Sequence, residues 1–180
     1  MTLKDRKTYM GGSDMNRLVN GGRDEWPKLW EEKTGRSNQD DLSNNLAVQM
    51  GSHTESFNIQ WFVENTGLPL QSEDQPWVSI NDQGVPCGGY LDARLTDETI
   101  LECKHTFDFN KMDSVVARYM PQLQWYMWLS ITDNAYLSVF FGNRRWEYVF
   151  IQKDWDYITR LRVLASEFWA HVRDDTEPTK

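Results

Sequence analysis

The sequence predicts a mixed α/β domain, and three observations carry that reading. Apolar residues recur at helical spacing in the N-terminal part and again after Asp154; residues 77–104 read as strands broken by turns; and AYLSVFFGNRRWEYVFI reads as a further strand pair around Gly142-Asn143. The resulting order of helices, strands, helix, strands and helix is that of an α/β domain. At 180 residues the chain is expected to form one domain, residues 1–180, with a substantial buried core.

Taken in order, GGSDMNRLVNGG predicts a turn and a short helix, with Ser13 or Asp14 as its N-cap and Gly21-Gly22 ending it. Residues 24–33 form a second helical stretch with Trp26, Leu29 and Trp30 on one face and Gly35 just beyond. A longer helix is expected over about 43–65, where Val48, Ile59 and Phe62 share a row with Glu55. An acid in an apolar row needs a partner, because burying an unpaired carboxylate is costly. Turns are placed at 81–84 and 96–98 within the strand region. The helical segment over 113–131 carries Val116, Tyr119, Leu123 and Met127, and Pro121 predicts a kink or a division into two helices. Asp154 is expected to cap a last helix bearing Trp155, Ile158, Leu161, Ala165, Phe168 and Val172.

Composition narrows the class. Hydrophobic residues at 39% and aromatics at 13% exclude a disordered chain. The 9 tryptophans are divided in expectation between the core and a surface for stacking bases or meeting another subunit. No stretch approaches the roughly 20 apolar residues of a membrane span, and MTLKDRKTYM lacks the apolar segment of a signal peptide. The 2 cysteines, Cys87 and Cys103, are too few for a disulfide framework or a four-cysteine cluster. A cytoplasmic protein without membrane association is therefore expected. The net charge of −8 disfavours nucleic acid as a partner, unless part of it is a carboxylate cluster neutralised by bound cations.

Such a cluster is visible in GGYLDARLTDETILECK. Glu102 and Lys104 lie two apart on a strand and so emerge on one face, while Cys103 points away. Antiparallel pairing around the 97–98 turn would bring Asp92 level with both. Two carboxylates and an ammonium suit metal-assisted phosphodiester hydrolysis: Asp92 and Glu102 as ligands of one or two divalent ions, the Cys103 carbonyl as a further ligand, Lys104 to orient or deprotonate water. The same three residues also fit an ordinary ion pair on a hairpin surface, contributing about 0–1 kcal/mol.

Several segments, in order, resemble the phage-type recombination exonucleases, the YqaJ-like group that includes the phage lambda exonuclease. They are GGSDM, LWEEKTGR, MGSHTE, LDAR with ECK, and YMPQLQWYMW, running from about Arg6 to Trp128. The resemblance implies a PD-(D/E)XK nuclease fold, a central mixed sheet flanked by helices. It places Glu55 as the helical acid of the site beside Asp92, Glu102 and Lys104, and Gln122 as a contact to a metal-held water or the DNA. Gln124 is implied as a DNA contact, and Arg6 with Ser13 as the grip on a 5′ phosphate. It further implies magnesium (with manganese as a substitute), 5′→3′ degradation of double-stranded DNA from its ends, a single-strand annealing protein as partner, and a homo-oligomer. Leu91 and Ala93 stand where the group carries proline and glycine around the catalytic Asp. Iron–sulfur relatives need four cysteines and are excluded. An endonuclease or nickase on the same core, and a non-catalytic DNA-binding protein, are the alternatives. For Gln122 and Gln124 the plain alternative is polar positions beside an apolar row, for Arg6 a terminal side chain and for Ser13 a helix cap. His105 is expected to be solvated, and Arg144 and Arg145 to form a charged hairpin tip.

Overall fold

The computed structural model describes residues 5–37, 43–72 and 75–179. After a 3-10 turn at Arg6–Thr8, two helices follow, α1 (Gly12–Asn20) and α2 (Trp26–Thr34). Gly11, not Ser13 or Asp14, is the N-cap of α1; Asp14 sits a turn inside and its Oδ2 accepts the Gly11 N–H at 2.8 Å. Asp14 thus does the work expected of a cap from the opposite direction. Gly35 ends α2 in the left-handed region at φ 76°.

Helix α3 (Leu46–Thr66) starts from Asn45, whose side chain accepts the Val48 N–H; part of the expected start, 43–65, is therefore coil. Of its predicted apolar row, Phe62 is fully buried and Ile59 partly so, whereas Val48 is exposed.

The strand region divides in a way the sequence did not predict. β1 (Trp77–Asp82) and β2 (Val85–Tyr90) form a separate antiparallel hairpin. The main sheet has the order β3-β4-β5-β6, from β3 (Ala93–Arg94), β4 (Ile100–Thr106), β5 (Asn134–Phe141) and β6 (Arg145–Gln152). Only β4 and β5 are parallel. Parallel neighbours need a crossover, and α4 (Met112–Leu129) supplies it. Helix α4 continues through Pro121 rather than splitting in two. A proline inside a helix costs about 3 kcal/mol, offset here by burial of every residue from Pro121 to Leu129, Trp125 and Trp128 among them. Asp154 caps α5 (Trp155–Arg173) as predicted, accepting the Tyr157 N–H.

Helices cover both faces of the sheet. Ile100, Leu137, Val139 and Ile151 join α1, α2, α4 and α5 in the larger core, while Leu101 and Cys103 pack with Phe62 of α3 in a smaller one. Asn58 locks α3 to the sheet: its amide nitrogen lies 3.2 Å from the carbonyls of Lys104 and Ser138, and its oxygen accepts the Ser138 hydroxyl at 2.6 Å. On the other face, α1 lies so close to α4 that a Cβ at Gly12 would stand 2.7 Å from Gln122. No helix among the described residues is long and apolar enough to cross a membrane.

Candidate active site

The alternation of β4 sets the site. Leu101 and Cys103 enter the core under α3, so Glu102 and Lys104 face α4. Asp92 occupies the bend between β2 and β3. Since Ala93 pairs with Leu101, Asp92 comes level with Glu102, and its Oδ2 accepts the Cys103 backbone N–H at 2.8 Å. Lys104 Nζ stands 2.5 Å from Glu102 Oε1 and 3.9 Å from Asp92 Oδ2. The expected convergence of these three residues is what the fold produces, with all three side chains less than a fifth exposed rather than on an open hairpin surface.

Glu55 approaches from α3. It lies one turn before Asn58, on the same side of the helix, so the Asn58 lock also fixes where Glu55 points. Its Oε1 accepts Gln75 Nε2 at 2.6 Å. Burial, and then the charge of Asp92, raise its carboxyl above the ordinary range.

Glu102 is the strained member. It is completely buried; Oε1 accepts both Lys104 and Gln122, while Oε2 is buried with no hydrogen-bond partner. Burial first, and the Asp92 charge second, push its carboxyl up to about 8. Burial alone would lower the Lys104 ammonium, but Glu102 and Asp92 outweigh it and hold Lys104 well above the ordinary lysine range. Three carboxylates thus share one ammonium, an arrangement short of positive charge.

An unpartnered buried carboxylate oxygen among hard oxygen donors fits a divalent cation of the magnesium or manganese kind. Among the described residues no three His, Cys, Asp or Glu groups stand close enough together to hold an ion. Lys104 donates to Glu102 and Gln75 to Glu55. Asp92, Glu102 and Glu55 are the side chains available as ligands. Cys103 enters the site through its backbone, and its thiol is buried on the opposite face.

Gln122 reaches Glu102 from α4, and its own amide is held by Asn16 of α1: Asn16 Nδ2 donates to Gln122 Oε1 at 2.9 Å, and the Gln122 N–H donates to Asn16 Oδ1 at 3.0 Å. Gln122 therefore orients a carboxylate through a chain that starts at Asn16, a residue the sequence reading did not single out. Tyr126 was also missed. It is buried beside the site, close against Gly12 and Gly89, and burial followed by the Glu102 charge raises its hydroxyl.

Gln124 is not at a surface. It is 2% exposed, donates to the Gln152 carbonyl at 2.9 Å, and accepts the Asp154 N–H at 2.8 Å. The expected DNA contact is corrected to a brace between α4 and the start of α5. Arg6 and Ser13 do meet, guanidinium to hydroxyl, at the start of α1, with Asp14 at 3.8 Å from Arg6. His105 is not free in solvent; its Nδ1 lies 3.0 Å from the Thr54 hydroxyl and its ring is edge-on to Phe140.

An acidic residue at a strand bend, Glu-x-Lys on the adjoining strand and a helical glutamate, set on a mixed sheet between helices, define the PD-(D/E)XK nuclease class. The YqaJ-like viral recombinase domain matches residues 3–133, and the chain belongs to that family. It is a nuclease, of a family in which metal dependence is typical. Solved structures share the fold. The alkaline exonuclease LHK-Exo from Laribacter hongkongensis superposes with a TM-score of 0.72 at 13% identity, over 94% of this chain and 90% of that one. Its complex with dAMP gives 0.75 at 15% identity, over the same 94% and 90%. A phage-related exonuclease from Haemophilus somnus 129PT gives 0.71 at 14%, over 93% and 96%. Among curated proteins no sequence matches.

Proposed function

We propose that this chain, as one nuclease domain spanning residues 1–180, degrades double-stranded DNA from its ends in the 5′→3′ direction, using magnesium or, in its place, manganese. The observation that carries the reading is the under-neutralised trio of fully buried Glu102 and part-buried Asp92 and Glu55 around Lys104. A bound divalent cation would supply Lewis-acid polarisation of the phosphate and charge neutralisation. Asp92, Glu102 and Glu55 would be its ligands, and Gln122 and Asn16 orient Glu102. Lys104, held as the ammonium, would orient the attacking water or stabilise the charge gathering on the scissile phosphate. The setting is phage-type recombination in the cytoplasm, with a single-strand annealing protein as partner and a homo-oligomer as the working form.

The test uses linear and covalently closed circular DNA, with magnesium and with chelator. Linear duplex is expected to be consumed and closed circles to survive, with chelator stopping the reaction. Circles nicked as fast as linear DNA disappears would assign an endonuclease instead.

The Arg6–Ser13 pair gives a finer expectation. A guanidinium donates two in-plane hydrogen bonds to a phosphate, and a helix start adds backbone N–H groups that favour an anion. Gripping the terminal 5′ phosphate would fix which phosphodiester faces the carboxylates. Duplex carrying 5′ phosphate is expected to be degraded faster than 5′-hydroxyl duplex. Arg6→Ala should cut that preference about tenfold, since hydrogen bonds to charged groups contribute about 1.5–3 kcal/mol. Equal wild-type rates on the two ends would remove the phosphate grip and leave the carboxylate site untouched.

A further inference from the structure

β4 leaves the catalytic cleft through Lys104, His105 and Thr106 and becomes a short loop, 107–111, before α4 begins. Two phenylalanines stand on that loop, Phe107 at 60% and Phe109 at 77% exposure. Their rings are stacked, with centroids 5.4 Å apart and planes inclined by 5°. Phenylalanine ordinarily buries its ring, so two exposed, parallel rings beside an active site call for an occupant.

The loop is built rather than slack. From the β5–β6 hairpin, Arg145 donates to the carbonyls of Asn110 at 2.7 Å and Asp108 at 3.2 Å, and its guanidinium lies 3.8 Å from the Phe141 ring centroid. Asn110 Nδ2 donates to the Thr106 hydroxyl at 2.5 Å, and the Gly142 N–H donates to the Thr106 carbonyl at 2.7 Å. Gly142 has φ 58°, and a Cβ there would come within 3.1 Å of Asp108. Arg145 is therefore no solvated tip residue; it is the brace that keeps the two rings turned outward.

We infer that Phe107 and Phe109 form a stacking platform for a base of the DNA strand that passes Lys104. The inference rests on the DNA reading proposed above. Every base has a flat face that extends a stack of two parallel rings, and such stacking contributes about 1–3 kcal/mol per base. Exposed Lys111 at the end of the loop and Arg144 at the hairpin tip supply cations for the flanking phosphates. A protein partner is the poorer occupant. Two partly exposed rings offer on the order of 300 Å², well below the roughly 800 Å² per partner of a stable interface.

The platform is tested by binding, apart from catalysis. Fluorescence anisotropy with calcium in place of magnesium compares labelled oligothymidine with an abasic strand of equal length, for wild type and for Phe107→Ser/Phe109→Ser. Both side chains lie outside the core, and a thermal melt checks that the variant is folded. Wild type is expected to bind oligothymidine about tenfold or more tighter than the abasic strand, and the double variant to bind both alike. Retention of the wild-type preference in the double variant overturns the platform. If that retention comes with a smaller species on gel filtration, the rings are a subunit contact instead. Wild-type protein that binds neither strand and cleaves no duplex removes the DNA reading itself, and the platform with it.

Discussion

Glu102→Gln is expected to abolish nuclease activity while raising the stability of the metal-free protein. On the proposed reading, loss of the carboxylate would remove a ligand from a site whose Lewis-acid stabilisation is worth several kcal/mol. At about 1.4 kcal/mol per tenfold, the rate should fall roughly a thousandfold or more. Asp92→Ala should do the same. The stability gain follows from the raised carboxyl, since an amide carries no charge into the buried position. A carboxyl raised to about 8 in the fold, against 4.5 as its reference, binds its proton more tightly folded than unfolded. Wild type therefore loses stability as pH rises through that window, and Gln at this position does not. Melting curves in chelator should show the Glu102→Gln advantage widening from pH 4.5 to 8, and saturating magnesium should stabilise wild type but not the variant. Complete DNA degradation by purified Asp92→Ala protein would overturn the assignment of the site.

Lys104→Ala is expected to lower turnover by about a hundredfold to a thousandfold, the range for loss of one preorganised charge-stabilising donor, without loss of metal binding. Lys104 donates to Glu102 Oε1 at 2.5 Å, so its ammonium would compete with a cation for that oxygen. Removing it should leave divalent affinity equal or tighter, read by calorimetry, while single-turnover cleavage collapses. Weakened metal binding with near-normal turnover at saturating magnesium would reverse the roles given to Lys104 and the carboxylates.

The legible part of the site was the part governed by short periods. Glu102 and Lys104 share a face because strands alternate, and the 97–98 turn brings Asp92 opposite; both follow from local spacing. Glu55 showed as an acid in an apolar row, although Val48, counted in that row, turned out exposed. Asn16, Asn58 and Tyr126 were invisible because each acts across the fold: Asn16 and Gln122 are 106 positions apart, Asn58 and Ser138 80. No single-chain pattern encodes such pairs. Gln124 was misread for a reason the sequence does contain. Residues two apart on a helix point about 200° apart, so Gln122 and Gln124 could not both face one cleft. The separation of β1–β2 from the main sheet was hidden because β3 is two residues long, too short to show alternation.

The parallel β4–β5 pair carries a consequence for how the protein is made. β4 bears Glu102 and Lys104, but its neighbour on the sheet is Asn134–Phe141, which reaches it only after the α4 crossover has been laid down. Asn58, which aims Glu55, is anchored on Ser138 of that same late strand. Contacts of such long sequence separation form slowly, and a nascent chain emerges from its N-terminus onward. A ribosome-bound fragment ending before residue 134 carries Glu55, Asp92 and Glu102 but lacks the strand that flanks β4 and anchors Asn58. The three acids are therefore expected to come into register only with the completed sheet.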